Sequence, residues 1–181
     1  GAMRPAGARS STGLARGRAR RLLDAIQLGA TDRGINLIRA ERLPLPSSAR
    51  ARRLVAQARA ELGEYLAGER TFFSVPVDLS AVPPFQRDVL ERARAIPFGE
   101  VRSYAWIARR IGRPRAARAV GTALARNPVP LIVPCHRVLR SDGSRGGYLF
   151  GLAVKDRLLA LERATSTRRT RARAVGRPKR G

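Results

Sequence analysis

The chain has 181 residues, 44% of them hydrophobic, and a formal net charge of +24 from 37 Lys or Arg against 13 Asp or Glu. That apolar share can build a real core, which excludes wholesale disorder, and no apolar run approaches the roughly 20 residues of a membrane span. One cysteine cannot close an intramolecular disulfide, and one Cys with one His cannot hold a closed structural zinc. The expected compartment is the cytoplasm with its nucleoid, or the nucleus of a eukaryote.

Residues 1–22 contain six Arg and no acid and read as a disordered basic arm. Gly1-Ala2-Met3 reads as a protease-cleavage remnant, and the arm lacks the apolar segment of a secretory signal. Residues 24–43 suit two short strands around the turn-prone Thr31-Asp32-Arg33-Gly34. Ser47 or Ser48 would cap a helix running to Gly68, with Leu54, Ala58, Leu62 and Leu66 at four-residue spacing. FFSVPVDLS (72–80) suits a strand that ends in a turn at Pro83-Pro84. A helix follows over 84–96, with Phe85, Val89, Leu90 and Ala93 on one face.

Helices over 103–112 and 115–126, joined by Gly112-Arg113-Pro114, match a helix-turn-helix pattern. Residues 127–151 are too rich in Pro and Gly for a regular helix. A short strand is expected at Val138-Leu139-Arg140 and a turn over 141–144, before an amphipathic helix over 152–162. Strands first and helices later predict an α+β fold. The expected division is an arm (1–22), an N-terminal domain (23–80), a helical domain (81–164) and a disordered basic tail (165–181).

The charge is uneven. Residues 163–181 hold eight Lys or Arg and no acid, so the two ends together carry +14 and residues 23–162 carry +10. A GC-rich coding bias would explain 35 Arg against two Lys but not the shortage of acids. The partner this predicts is a polyanion, nucleic acid above all.

Both singly occurring reactive side chains lie in VPCHRV, residues 133–138. Alone, a Cys is usually a small buried hydrophobe and a His a structural one. Here Pro134 fixes the backbone just before Cys135, and Asn127, Pro128 and Pro130 stiffen the approach. Neighbouring side chains on an extended backbone point to opposite sides, so direct Cys135–His136 contact is strained, although a water could bridge the two. That disfavours a papain-like hydrolase. A redox switch lacks a resolving thiol. What remains is a thiolate that attacks once: an alkyl group accepted as a thioether stays, because its sulfur is a very poor leaving group.

FGEVRSYAWIARRIGRPRAARAVGTALARNPVPLIVPCHRV with GGYLFGLAVKDRLLALE strongly resembles the O6-alkylguanine-DNA alkyltransferases, the methylated-DNA–protein-cysteine methyltransferases. The close match covers about residues 84–162. A looser one over 24–80 includes ATDRG, EYLAGER and FSVPVDLS. The resemblance implies a ribonuclease-H-like N-terminal domain and a winged-helix-like C-terminal domain that acts as a monomer without cofactor or metal. It leaves cooperative clustering on DNA open. The substrate it implies is double-stranded DNA, whose O6-alkylguanine is flipped out of the duplex for reaction.

By position, Cys135 would be the nucleophile, His136 a base acting through water, and Glu162 the acceptor that orients His136. Asn127 would hold the turn, and Tyr104 would donate to guanine N3. The carbonyls of Cys135 and Val138 would accept from the exocyclic amine, with Tyr148, Leu149, Phe150 and Lys155 completing the substrate pocket. Arg118 would fill the hole left by the flipped base. Ala116, Ala117, Ala119 and Gly121 would keep its helix thin enough for a minor groove roughly 6 Å wide, with Ser103 and Arg126 also at the DNA. Phe150 stands where many members carry Gly and Leu90 where Trp is common, and the zinc ligands of some relatives are missing. A lesion-binding relative that transfers nothing, or a basic architectural DNA binder, are the alternatives. The former typically lacks the Cys. Gly176-Arg177-Pro178 is reminiscent of a minor-groove AT-hook, against a non-specific electrostatic tail; either predicts DNA affinity that falls with salt.

Overall fold

The computed structural model describes residue 17 and residues 20–175. Most of the basic arm therefore lies outside the described residues, but its end does not. Residues 20–25 form a short helix (α1), and Leu22 and Leu23 pack on the core, so the arm stops earlier than expected. The Arg59 guanidinium ties this helix down by donating to the carbonyls of Leu23 (3.0 Å) and Ile26 (3.2 Å).

Strands β1 (Gln27–Ala30) and β2 (Ile35–Arg39) form the expected antiparallel hairpin, with Leu28 opposite Ile38. Its turn closes through Thr31 N–H to Gly34 O (3.0 Å) and is fastened by Asp78, which accepts from Thr31 Oγ1 (2.6 Å) and Arg33 Nε (3.2 Å). Helix α2 (Ala49–Leu66) packs on the hairpin and starts where Ser48 Oγ accepts from Ala51 N–H (2.9 Å). The predicted apolar stripe of Leu54, Ala58, Leu62 and Leu66 is buried.

Residues 72–80 do not form a strand. Only Val77 makes a bridge, parallel to Ile35. Pro76 has no N–H to donate, and the N–H groups of Ser74 and Val75 go to the buried Glu61 carboxylate (2.8 and 3.2 Å). Among the described residues, the ribonuclease-H-like layer implied above thus consists of one hairpin, one bridge and α2.

The C-terminal part begins with α3 (Pro84–Arg94), its proline at a helix start where no donor is missed. Strand β3 (Arg102–Ser103) leads into α4 (Tyr104–Arg110), and α5 (Ala117–Ala125) packs on α3 and α4. A 3₁₀ turn, Cys135–Arg137, runs into β4 (Val138–Leu139), which pairs in parallel with β3. That ladder holds the start of α4 beside the Cys-His run. The buried apolar residues form one cluster from Ile26 to Leu158, so the core does not divide at residue 80.

Helix α6 spans Leu152–Val175, thirteen residues beyond its expected end. Residues 163–175 contain neither Gly nor Pro, so nothing stops the helix before Gly176. Thr165 is buried, and Arg169 Nη2 donates to Glu69 O (3.0 Å). The tail expected to be disordered from residue 165 is therefore helical through 175, and its Gly-Arg-Pro lies outside the described residues. No helix of the described residues is long and apolar enough to cross a membrane.

Candidate active site and nucleic-acid interface

The segment 127–138 is wound tightly around Asn127. Its Nδ2 donates to Val133 O (3.0 Å) and to Cys135 Sγ (3.2 Å), and its Oδ1 accepts from Val129 N–H (2.9 Å). One amide side chain thus closes the loop and touches the thiol. Between them Leu131 is fully buried with φ at +77°, a left-handed conformation a branched residue rarely takes. The surrounding packing and the Asn127 bonds hold it there.

Cys135 is 7% exposed and His136 wholly buried. Burial pushes the Cys135 thiol up, with the Asn127 hydrogen bond and the Lys155 charge pulling the other way. Burial likewise lowers His136, against the hydrogen bond that its ring gives to Glu162, which favours the charged ring. At neutral pH the resting pair is a thiol beside a neutral imidazole.

His136 Nε2 lies 2.8 Å from Glu162 Oε1, while its Nδ1 has no hydrogen-bond partner among the described residues. Glu162, on the buried side of α6, also accepts from Tyr65 Oη (2.6 Å), Gly99 N–H (2.9 Å) and Arg137 Nε and Nη2 (3.0 and 2.9 Å). Burial alone would raise this carboxyl, but the hydrogen bonds and charges of His136 and Arg137 win and hold it at about 2. Gly99, at φ +80°, must be glycine, because a Cβ there would collide with Ser166 Oγ. Arg137 is completed by Ile96 O (2.7 Å) and by the Phe98 ring below its guanidinium.

A surface recess is lined by Tyr104, Ala117, Arg118, Gly121, Arg140 and Gly146, and of these Tyr104 lies close enough to Cys135 for the two charges to act on each other. Gly146 takes a left-handed backbone at φ +59° that favours glycine, and a Cβ there would also press on Tyr104 Oη. Arg118 and Ala119 are exposed on α5, Ala116 and Ala117 are half-buried, and Gly121 lies open to the Tyr104 ring. Tyr148 stacks edge-on between His136 (6.2 Å) and Phe150 (6.0 Å), its buried hydroxyl without a partner, and Leu149 is exposed beside it.

Three further candidates make contacts within the chain. Lys155 is fully buried, its Nζ donating to Val138 O (2.8 Å) and to Arg145 O. Burial lowers this amine to about 8. Ser103 Oγ caps α4 by accepting from Trp106 N–H (3.0 Å). Arg126 is exposed, but its carbonyl is held by Gln86 (2.9 Å).

Sequence reasoning overlooked Tyr65 and Arg137. Arg137 is part of the Pro-Cys-His-Arg run itself. Tyr65 falls on the apolar face of α2, three residues after Leu62, and a tyrosine on a wholly buried stripe signals a buried partner for its hydroxyl. Among the described residues, no group of three or more His, Cys, Asp or Glu is placed to hold a metal ion.

The site brings together a thiol held by an amide, an imidazole seated on a buried carboxylate and, on α5, an exposed arginine. Residues 84–164 match the family model described as 6-O-methylguanine DNA methyltransferase, DNA binding domain. A methylated-DNA–protein-cysteine methyltransferase of Mycolicibacterium paratuberculosis is 50% identical over 114 residues, 63% of this chain and 68% of that protein. The constitutive one of Bacillus subtilis is 46% identical over 110 residues, 60% of this chain and 66% of that protein. Matches therefore span about two thirds of these relatives. The crystal structure of Mycobacterium tuberculosis OGT in complex with DNA superposes with a TM-score of 0.69 at 38% identity, covering 77% of this chain and 87% of that one. This chain belongs to the methylated-DNA–protein-cysteine methyltransferase family, DNA-repair proteins that transfer alkyl groups to cysteine.

Proposed function

We propose that this chain repairs O6-alkylguanine in duplex DNA by taking the alkyl group irreversibly onto Cys135. The observation that carries the reading is the buried His136–Glu162 pair beside a thiol that accepts a hydrogen bond from Asn127 Nδ2. Glu162 keeps the proton on Nε2, so the unpartnered Nδ1 is the basic nitrogen and can draw the thiol proton through one bridging water. The thiolate attacks the alkyl carbon, the carbon–O6 bond breaks with its electron pair going to guanine, and a thioether forms. Tyr104, at the floor of the recess, donates to the leaving base as negative charge builds on it. The carbonyls of Cys135 and Val138 select the exocyclic amine of guanine; Val138 O retains a second lone pair while Lys155 occupies the first.

DNA engages through α5. Arg118 enters the stack where the base leaves, and the small residues at 116, 117, 119 and 121 let the helix approach the minor groove. Titrating the protein with duplex carrying methylated guanine should transfer one methyl per chain and then stop; sustained turnover would contradict the reading. Arg118→Ala should slow transfer from duplex about tenfold or more, given the few kcal/mol that extruding a base costs, and leave reaction with the free modified base unchanged.

Phe150, half-buried and edge-on to Tyr148, narrows the pocket mouth. Benzyl adducts should therefore react more slowly than methyl, and Phe150→Gly should bring the two rates together. Competing reactions on paired oligonucleotides measure this ratio directly.

A further inference from the structure

Tyr65 comes from α2, in the N-terminal part of the chain, yet its side chain ends inside the active site of the C-terminal part. It is fully buried, its ring packed against Phe73 (5.3 Å) and edge-on to Phe98 (6.0 Å). Its hydroxyl donates to Glu162 Oε1 at 2.6 Å and lies 3.2 Å from His136 Nε2. We propose that Tyr65 is a positioning residue for alkyl transfer, its hydroxyl fixing Glu162 and the proton on His136 Nε2. The proposal rests on the reading that His136 is the base.

The argument is one of donors and acceptors. A phenol has one proton, and at 2.6 Å the carboxylate takes it. Burial and the nearby Glu162 push Tyr65 well above the usual tyrosine range, so that proton stays in place throughout the working range. The hydroxyl therefore turns a lone pair toward His136 Nε2. An unprotonated Nε2 would face two acceptors, Glu162 Oε1 and Tyr65 Oη; a protonated one satisfies both. The second tautomer is thus penalised twice, and Nδ1 is left as the free base.

A tyrosine serving only to fill the core would not need this arrangement. Phenylalanine would pack equally well between Phe73 and Phe98, and Glu162 already has donors in Arg137 and Gly99. The hydroxyl adds what those donors cannot, because it alone contacts both the carboxylate and the imidazole among the groups on α2.

Tyr65→Phe keeps the ring and removes the hydroxyl. Glu162 loses a donor, concentrates more charge on His136 and favours the imidazolium. The other groups around His136 stay as they are: Cys135 and Arg137 beside it, Lys155 on α6, and Tyr148 from the loop. His136 should then titrate higher, by about half a unit to one unit, the scale of one neutral hydrogen bond. A base protonated at higher pH moves the acid limb of transfer upward, so on that limb, below the ring's titration, the rate should fall about three- to tenfold, with a smaller change at neutral pH.

The chain has one histidine, so histidine labelled with ¹⁵N reports His136 alone. The wild type should show the Nε2–H tautomer, and Tyr65→Phe should raise both the ring's titration and the acid limb of single-turnover methyl transfer. An Nδ1–H tautomer in the wild type would overturn the proposal even if the variant failed to fold. So would a Tyr65→Phe protein with the wild-type acid limb, whether its rate were normal or lowered equally at every pH. Absence of methyl transfer by the wild type itself would instead sink the underlying reading of Cys135 and His136.

Discussion

His136→Phe is expected to slow alkyl transfer at neutral pH by about a hundredfold to ten-thousandfold, the usual contribution of a positioned base. The thiol cannot ionise unaided. Burial pushes Cys135 up, and although Asn127 and Lys155 both favour the thiolate, they do not overcome that desolvation. The proton needs an acceptor, and burial keeps His136 neutral and ready to be one. Because the folded protein lowers His136, transfer should persist into mildly acidic solution and fail as the pH drops through the ring's own titration. The Phe variant should lose that limb along with the rate. Its fold should survive, because Glu162 keeps Tyr65, Gly99 and Arg137 as donors and no charge is left alone. Single-turnover kinetics against pH, beside a denaturant midpoint, separate these effects.

Glu162→Gln should instead cost stability first. The substitution preserves shape but leaves the buried Arg137 guanidinium without its anion, with a neutral amide oxygen, Ile96 O and the Phe98 ring remaining. Removing one partner of such a pair typically costs about 3–5 kcal/mol. A shift of this size is easily read from a urea midpoint at constant slope. The pH dependence carries the matching sign. Glu162 sits at about 2 when folded against an ordinary 4.5, so its contribution is complete above the ordinary value and is lost as the pH falls toward 2. The wild type should lose stability across that interval, and the Gln variant should lose less. Alkyl transfer by the variant should also fall, since the amide can present its N–H to Nε2 and invert the tautomer.

Much of the active-site loop could be read from the sequence because its parts are close in the chain. Asn127, Pro134, Cys135 and His136 lie within ten residues, and the prolines that rule out a helix also predict the stiff turn the loop forms. The hairpin around Thr31–Gly34 and the Ser48 cap were likewise matters of local chemistry. Glu162 came only through family resemblance, because nothing near it in sequence marks it as different from a surface acid. Tyr65 was missed for the same physical reason on a larger scale: it stands 71 residues from His136, and only the packing of α2 brings the two together. Residues 72–80 have a strand's composition, yet a buried carboxylate on α2 takes the backbone donors a strand would use. The length of α6 was misjudged because its apolar stripe ends at Leu161. Helix-forming residues and contacts with Gly68 and Glu69 carry it further.

The enclosure of Lys155 could not be read from its place in the family motif: the folded chain ties its amine to two carbonyls, and its charge favours the Cys135 thiolate.

The central claim is that the Cys135 sulfur itself becomes the permanent home of the alkyl group. Incubation with an oligonucleotide containing methylated guanine, followed by intact-mass measurement and peptide mapping, tests it most directly. One added methylene per chain, located on the peptide containing Cys135 and absent from Cys135→Ala, is the predicted result. Demethylated DNA with an unmodified protein, or the same mass gain in Cys135→Ala, would contradict it.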